Sequence, residues 1–126
     1  MMISLEYLLD SFAWLEYFGG NERYRAYVES EVSLPLTASV SLTEVIRSLL
    51  RKGKSRRQVD AAVEFIASRS LIVPVDKLDA IRAGFLAEEK GLHFSDSLIY
   101  ALAGSERRLV TGDSHFKGLE NVEFVR

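Results

Sequence analysis

The sequence predicts an α/β fold, a parallel sheet covered by helices on both faces. Short apolar segments of strand length alternate along the chain with amphipathic segments of helical period, the pattern of strand–helix–strand crossovers. The 126 residues are 48% apolar and 27% charged, enough to build one core. No linker, low-complexity stretch or internal repeat divides them, so residues 1–126 are read as one domain.

Residues 3–9 form the first strand, with Leu5, Tyr7, Leu8 and Leu9 supplying apolar bulk. Asp10-Ser11 follows at once, then a helix over 12–18 that stops at Gly19-Gly20. A strand that ends in an acid and turns straight into a helix puts that carboxylate at the sheet's C-terminal edge, where open α/β folds bind ligands. Asp is also a favoured N-cap, so two readings of Asp10 stand. Asn21 begins a helix through Glu29, and residues 32–38 form a second strand in which Pro35 points to an edge or irregular position. Ser41 and Glu44 have capping-box spacing at the next helix start. Leu42, Val45, Ile46, Leu49 and Leu50 then make an amphipathic stripe that ends at Gly53. Ser55 caps a fourth helix with Val59, Ala62, Val63 and Ile66 on one face, and residues 71–75 form a short buried strand. Asp76 starts a fifth helix carrying Leu78, Ile81 and Phe85, stopped by Gly91. A sixth covers 95–104, with Leu98, Ile99, Leu102 and Ala103 inward. The strand 108–111 leads through Gly112-Asp113 and a turn at 115–118 to a last strand at 122–125.

Cysteine is absent, which excludes disulfides and thiolate metal sites. The N-terminus has no basic region and Glu6 interrupts its apolar stretch, so no signal peptide is expected. No apolar run approaches the roughly 18 residues of a membrane span, and a cytoplasmic chain is the expectation. The net charge of −2 argues at face value against a nucleic-acid partner. Yet Arg47, Arg51, Lys52, Lys54, Arg56 and Arg57 crowd into eleven positions, 47–57. Such a run binds phosphates despite an acidic total, or is a solvated helix end.

Four carboxylates stand at element starts or strand ends: Asp10, Glu44, Asp96 and Asp113. Each has a structural explanation of its own. Asp10 suits a cap, Glu44 a capping box with Ser41, Asp96 the dipole of a helix start and Asp113 a turn. The four together are harder to explain that way. Clustered carboxylates repel and raise one another's pKa unless a cation neutralises them. Oxygen donors without cysteine favour the hard cations Mg²⁺ or Mn²⁺. Beside a phosphodiester such an ion activates water and stabilises the leaving oxygen.

Leu8-Leu9-Asp10-Ser11, Thr43-Glu44, Ser95-Asp96-Ser97-Leu98-Ile99 and the run from Leu109 to Phe116 resemble the motifs of PIN-domain ribonucleases. The resemblance is nearest to the toxins of VapBC toxin–antitoxin pairs and spans the chain in the family's order. It implies a three-layer α/β/α fold around a parallel sheet of about five strands. It implies Mg²⁺- or Mn²⁺-dependent cleavage of RNA, with Asp10, Glu44, Asp96 and Asp113 as the catalytic, metal-binding quartet. Ser11 and Thr111 would be hydroxyls that orient the acids. Homodimerisation and inhibition by an antitoxin seated in a groove are also implied. Arg47, Arg51, Lys52 and Lys54 are the candidate RNA contacts.

A PIN-fold module that processes or binds RNA, or binds protein, without a toxin role is the alternative. A receiver-like signalling domain needs adjacent acids after the first strand and a lysine after a late one, and neither is in place. A haloacid-dehalogenase phosphatase needs Asp-x-Asp where the chain has Asp10-Ser11-Phe12. His115 is read as a surface turn residue, with a water or phosphate contact as its alternative. His93 is read as structural. Trp14, Tyr17 and Phe18 are read as core, with a partner groove as the lesser option.

Overall fold

A computed structural model describes residues 5–126. Of the strand expected at 3–9, Ile3 and Ser4 lie outside the described residues, and β1 runs Glu6–Leu9. It passes through Asp10 into α1 (Ser11–Phe18). Asn21 then caps a 3-10 turn (Glu22–Tyr24) that runs into α2 (Arg25–Val28), so the second helix is tighter at its start than its sequence implied. The chain continues with β2 (Leu36–Ala38), α3 (Ser39–Arg51), α4 (Arg56–Arg69), β3 (Leu71–Val73), α5 (Lys77–Lys90) and α6 (Phe94–Tyr100). Last come β4 (Arg107–Thr111), a second 3-10 turn (Ser114–Phe116) and β5 (Val122–Phe124).

The five strands form one sheet, all pairs parallel, in the order β3-β2-β1-β4-β5. The chain steps outward from β1 to β3, crosses back, and steps outward again through β4 to β5. Its direction therefore reverses between β1 and β4. At such a switch point the crossovers leave on opposite faces and open a crevice beyond the C-terminal strand ends. Asp10 leaves β1 at that crevice, and Gly112-Asp113 leaves β4 there.

Strand pleat sends neighbouring residues to opposite faces. Leu9 and Val110 pack into a core with Trp14 of α1, Tyr24 of the first 3-10 turn, Val45 of α3 and Ile66 of α4. Leu8 and Leu109 pack into a second core with Ile99, Tyr100 and Phe116. This is the expected three-layer α/β/α fold with a central parallel sheet of five strands.

Several local expectations change. Val32 is 96% exposed and Pro35 sits just before β2, its carbonyl accepting from the Leu71 N–H at 3.0 Å. A proline there donates nothing but can accept, so β2 lies inside the sheet between β1 and β3 and not at an edge. The edge on that side is β3, with no strand beyond it among the described residues, and Leu71 and Ile72 are exposed instead of buried. α3 starts before Ser41: Ala38 is its N-cap with no side-chain bond, and the buried Ser41 hydroxyl has no partner among the described residues. No capping box forms with Glu44. The boxes form at Ser55–Gln58 and Asp76–Asp79 instead. Leu50 of the α3 stripe is exposed, and α6 begins at Phe94 behind His93, one residue ahead of the predicted start. Among the described residues no helix is long and apolar enough to cross a membrane.

Candidate active site

Asp10 has both roles open to it. Its Oδ1 accepts the Ala13 N–H at 2.9 Å, capping α1, and its Oδ2 accepts the Thr111 hydroxyl at 2.5 Å. Thr111 Oγ1 in turn accepts the Asp113 N–H at 3.0 Å, so one hydroxyl ties the end of β1 to the exit of β4. Gly112 makes that exit sterically possible. A Cβ there would stand 2.3 Å from the Val125 carbonyl oxygen and 2.6 Å from the Phe12 ring.

Glu44 reaches the crevice from α3, and both its oxygens are held by serines of other segments. Ser11 Oγ donates to Oε1 at 3.2 Å and Ser95 Oγ donates to Oε2 at 2.9 Å. Ser95 is a residue the sequence did not single out for this task. The only signal was its place beside Asp96, mirroring Ser11 beside Asp10. Asp96 lies buried in the first turn of α6. Asp96, Asp113 and His115 each offer a donor atom, all within 4.8 Å of one another. Asp10 and Glu44 are not part of that tight trio.

Repulsion links all four acids nonetheless. Burial is the largest influence on Asp10 and pushes its carboxyl up to about 7, against the hydrogen bonds from Thr111 and Ala13 and with help from Asp113 and Glu44. Burial also raises Glu44, with Asp96 and Asp113 adding to it, and raises Asp96, with Asp113 adding. Among the described residues no lysine or arginine pairs with any of the four, and His115 stands against Asp96 and Asp113. Half-buried carboxylates without a cationic partner are the donor set that a hard divalent ion satisfies.

The model of the PIN domain family matches residues 7–122. The chain belongs to the PIN domain family. Solved structures share its fold, among them a toxin–antitoxin complex from Klebsiella pneumoniae, with TM-score 0.73 and 21% identity over 94% of this chain and 96% of that one. The DNA-bound VapBC of Salmonella typhimurium matches with TM-score 0.74 and 24% identity, over 96% of this chain and 97% of that one. VapC20 of Mycobacterium tuberculosis, a sarcin-ricin loop cleaving toxin, matches with TM-score 0.63 and 18% identity, over 77% and 80%. At these identities the likeness is one of fold. No curated protein matches the sequence.

The basic run of this PIN domain is spread along α3 and past its end. Arg47 is exposed one turn after Glu44 and, among the described residues, forms no ion pair. Arg51, Lys52 and Lys54 are exposed at the far end, where eight residues from Glu44 to Lys52 cover about 12 Å of helix axis. Lys54 lines an apolar groove of about 400 Å³ together with Tyr17, Phe18, Leu49 and Phe65. Trp14 is core, its Nε1 donating to Thr37 Oγ1 at 3.0 Å, whereas Tyr17 stacks on Phe65 at the groove, 5.9 Å between centroids. Two further cations that the sequence did not single out lie by the exit of β4 and the strand beside it. Arg126 Nη1 donates to the Gly112 carbonyl at 2.7 Å, and Lys117 lies 5.7 Å over the Phe124 ring. With Ser114 they line a cleft of about 360 Å³ next to Asp113.

Proposed function

We propose that this PIN domain is a divalent-metal-dependent endoribonuclease and the toxin of a toxin–antitoxin pair. One observation carries the reading: acids from four separate segments meet at the sheet's switch point, Asp10, Glu44 and Asp96 raised in pKa by burial first and by neighbouring carboxylates, with no lysine or arginine paired to any of the four among the described residues. Membership in the PIN family and the fold shared with toxin–antitoxin complexes support it.

Asp10, Glu44, Asp96 and Asp113 would hold Mg²⁺ or Mn²⁺. The ion would supply Lewis-acid activation of water and charge neutralisation at the phosphodiester. Thr111 and the Ala13 N–H aim Asp10, and the Asp113 N–H fixes Thr111 in place. Ser11 and Ser95 hold Glu44 by both oxygens, which restricts its rotamers and keeps its charge in the crevice. Arg47 beside Glu44, and Lys117 with Arg126 beside Asp113, are placed to take RNA phosphates, contacts that position the strand without reading its sequence. Arg51, Lys52 and Lys54 would extend that path only for an RNA lying along α3.

Two apolar surfaces suit two protein partners. The concave groove at Tyr17, Phe18 and Phe65 suits an inserted antitoxin segment. The exposed stripe Leu78, Ile81 and Phe85 on α5 suits a second copy, because a stripe can pack against its own two-fold mate. The cytoplasm is where such a chain would meet RNA and its antitoxin.

The test is incubation of the purified chain with structured RNAs in Mg²⁺, in Mn²⁺ and in EDTA. Wild type cleaves with either metal and not in EDTA, and Asp96→Asn, folded by circular dichroism, does not cleave. Undiminished cleavage by Asp96→Asn or in excess EDTA overturns the proposal.

A further inference from the structure

His115 is an exposed turn residue, as its sequence context implied, yet its ring stands against the carboxylates. Its Nδ1 is 3.1 Å from Asp96 Oδ2 and 3.5 Å from Asp113 Oδ1. Its own N–H donates to Asp113 Oδ1 at 3.0 Å, which fixes the backbone from which the ring projects. The next residue, Phe116, is 1% exposed and anchors the turn in the second core. From the other side the His93 ring meets the His115 ring edge to face, with centroids 4.9 Å apart. The imidazole is thus restrained through its backbone, its neighbour in sequence and its neighbour in space. Half of the side chain is open to solvent, and the other half is held against the acids and His93.

We propose that His115 is a metal ligand of this site, its Nδ1 joining Asp96 and Asp113 around the divalent ion. The inference rests on the reading of the acids as a metal site. Octahedral coordination at about 2.1 Å puts neighbouring donor atoms about 3 Å apart. The separation of Asp96 Oδ2 and His115 Nδ1 is of that size. The same distance suits a hydrogen bond in the metal-free protein, so the ring is held ready and loading requires little movement. A nitrogen donor changes the preference of the site. Mg²⁺ takes oxygen ligands and keeps its waters, whereas transition-metal ions accept imidazole with affinity rising along the first row. Replacing one oxygen by His115 Nδ1 therefore tilts the site from Mg²⁺ toward Mn²⁺ and its heavier neighbours. A histidine that merely orients Asp96 would affect both ions alike.

The experiment loads the full chain with Mn²⁺ and reads nitrogen coupling by pulsed electron paramagnetic resonance, alongside Mn²⁺ and Mg²⁺ binding titrations. Wild type shows a ¹⁴N coupling that changes to a ¹⁵N pattern when histidine is ¹⁵N-labelled, a readout independent of any variant. His115→Gln loses the coupling and weakens Mn²⁺ on the order of tenfold, with a much smaller effect on Mg²⁺. His93→Gln keeps the coupling. Mn²⁺ bound without a histidine coupling overturns the inference and leaves the acid site standing. So does a coupling that survives His115→Gln, or one lost only in His93→Gln. If wild type binds neither ion, the metal site fails and His115's role fails with it.

Discussion

Two opposing forces meet at Asp10. The Ala13 N–H and the Thr111 hydroxyl favour its carboxylate, yet burial outweighs them and lifts the carboxyl to about 7. Between the ordinary value of 3.8 and about 7, the folded metal-free protein therefore binds a proton that the unfolded chain has released. Folding stability from this group is fully present below the unfolded value and is lost as pH rises through the folded one. The gap of about three pH units corresponds to about 4 kcal/mol at most. In EDTA, the Tm of wild type should fall from pH 4 to pH 8. Asp10→Asn, which still caps α1, should fall distinctly less. Added divalent ion should restore wild type at pH 8 and leave the variant unmoved. Parallel Tm curves for the two proteins in EDTA would show that Asp10 is not held in this state.

At the scale of elements, the start of α3 separates two roles that its sequence merged. Ser41 is buried with a hydroxyl unpaired among the described residues, and Glu44 bonds to Ser11 and Ser95 instead of to its own helix end. Ser41→Ala should leave stability unchanged or raise it by up to about 1 kcal/mol, since it removes an unsatisfied polar group and adds a better helix former. A capping serine would lose about 1 kcal/mol instead, and chemical denaturation distinguishes the two. Glu44→Gln should keep its Tm within a degree or two while cutting RNA cleavage on the order of a hundredfold. The exit of β4 is constrained differently. The Val125 carbonyl that a methyl at Gly112 would strike belongs to backbone held by the Val125 N–H bond to Thr111 at 2.8 Å. Gly112→Ala should cost about 1–3 kcal/mol in denaturant and should also weaken divalent binding, because Asp113 moves with the exit.

Across the whole molecule, the sheet order explains why the site is where it is, and apolar side chains stay exposed away from it. Among the described residues, the reversal between β1 and β4 is the one place in this sheet where two neighbouring strands send their connections to opposite faces. The acids of both strand ends collect there, and α3 and α6 bring the other two. Away from the site, Leu78 is 73% and Phe85 is 67% exposed on the same face of α5. Phe85→Glu should convert a dimer to a monomer in sedimentation experiments while changing the unfolding free energy by under about 0.5 kcal/mol, as surface substitutions do. A wild-type chain that sediments as a monomer at all concentrations would remove this face from the account.

The sequence alone determined what local interactions decide. The alternation of strands and helices, the caps at Asn21, Ser55 and Asp76 and the stop at Gly91 all depend on residues a few positions apart. The same holds for the run from Leu109 to Phe116, where Thr111, Asp113 and His115 bond within one turn. Only the tertiary structure decided the rest. Glu44 is held by serines 33 and 51 residues away, and nothing in the local pattern distinguishes that from the capping box it resembles. Pro35 looked like an edge residue because its missing N–H is a local fact, while the strand that pairs beside it is not. Leu78, Ile81 and Phe85 have the period of a helix face, but periodicity reports that a face is apolar and not what covers it. Contacts between distant segments depend on strand order and crossover path, and the free energy that selects those is summed over the whole core.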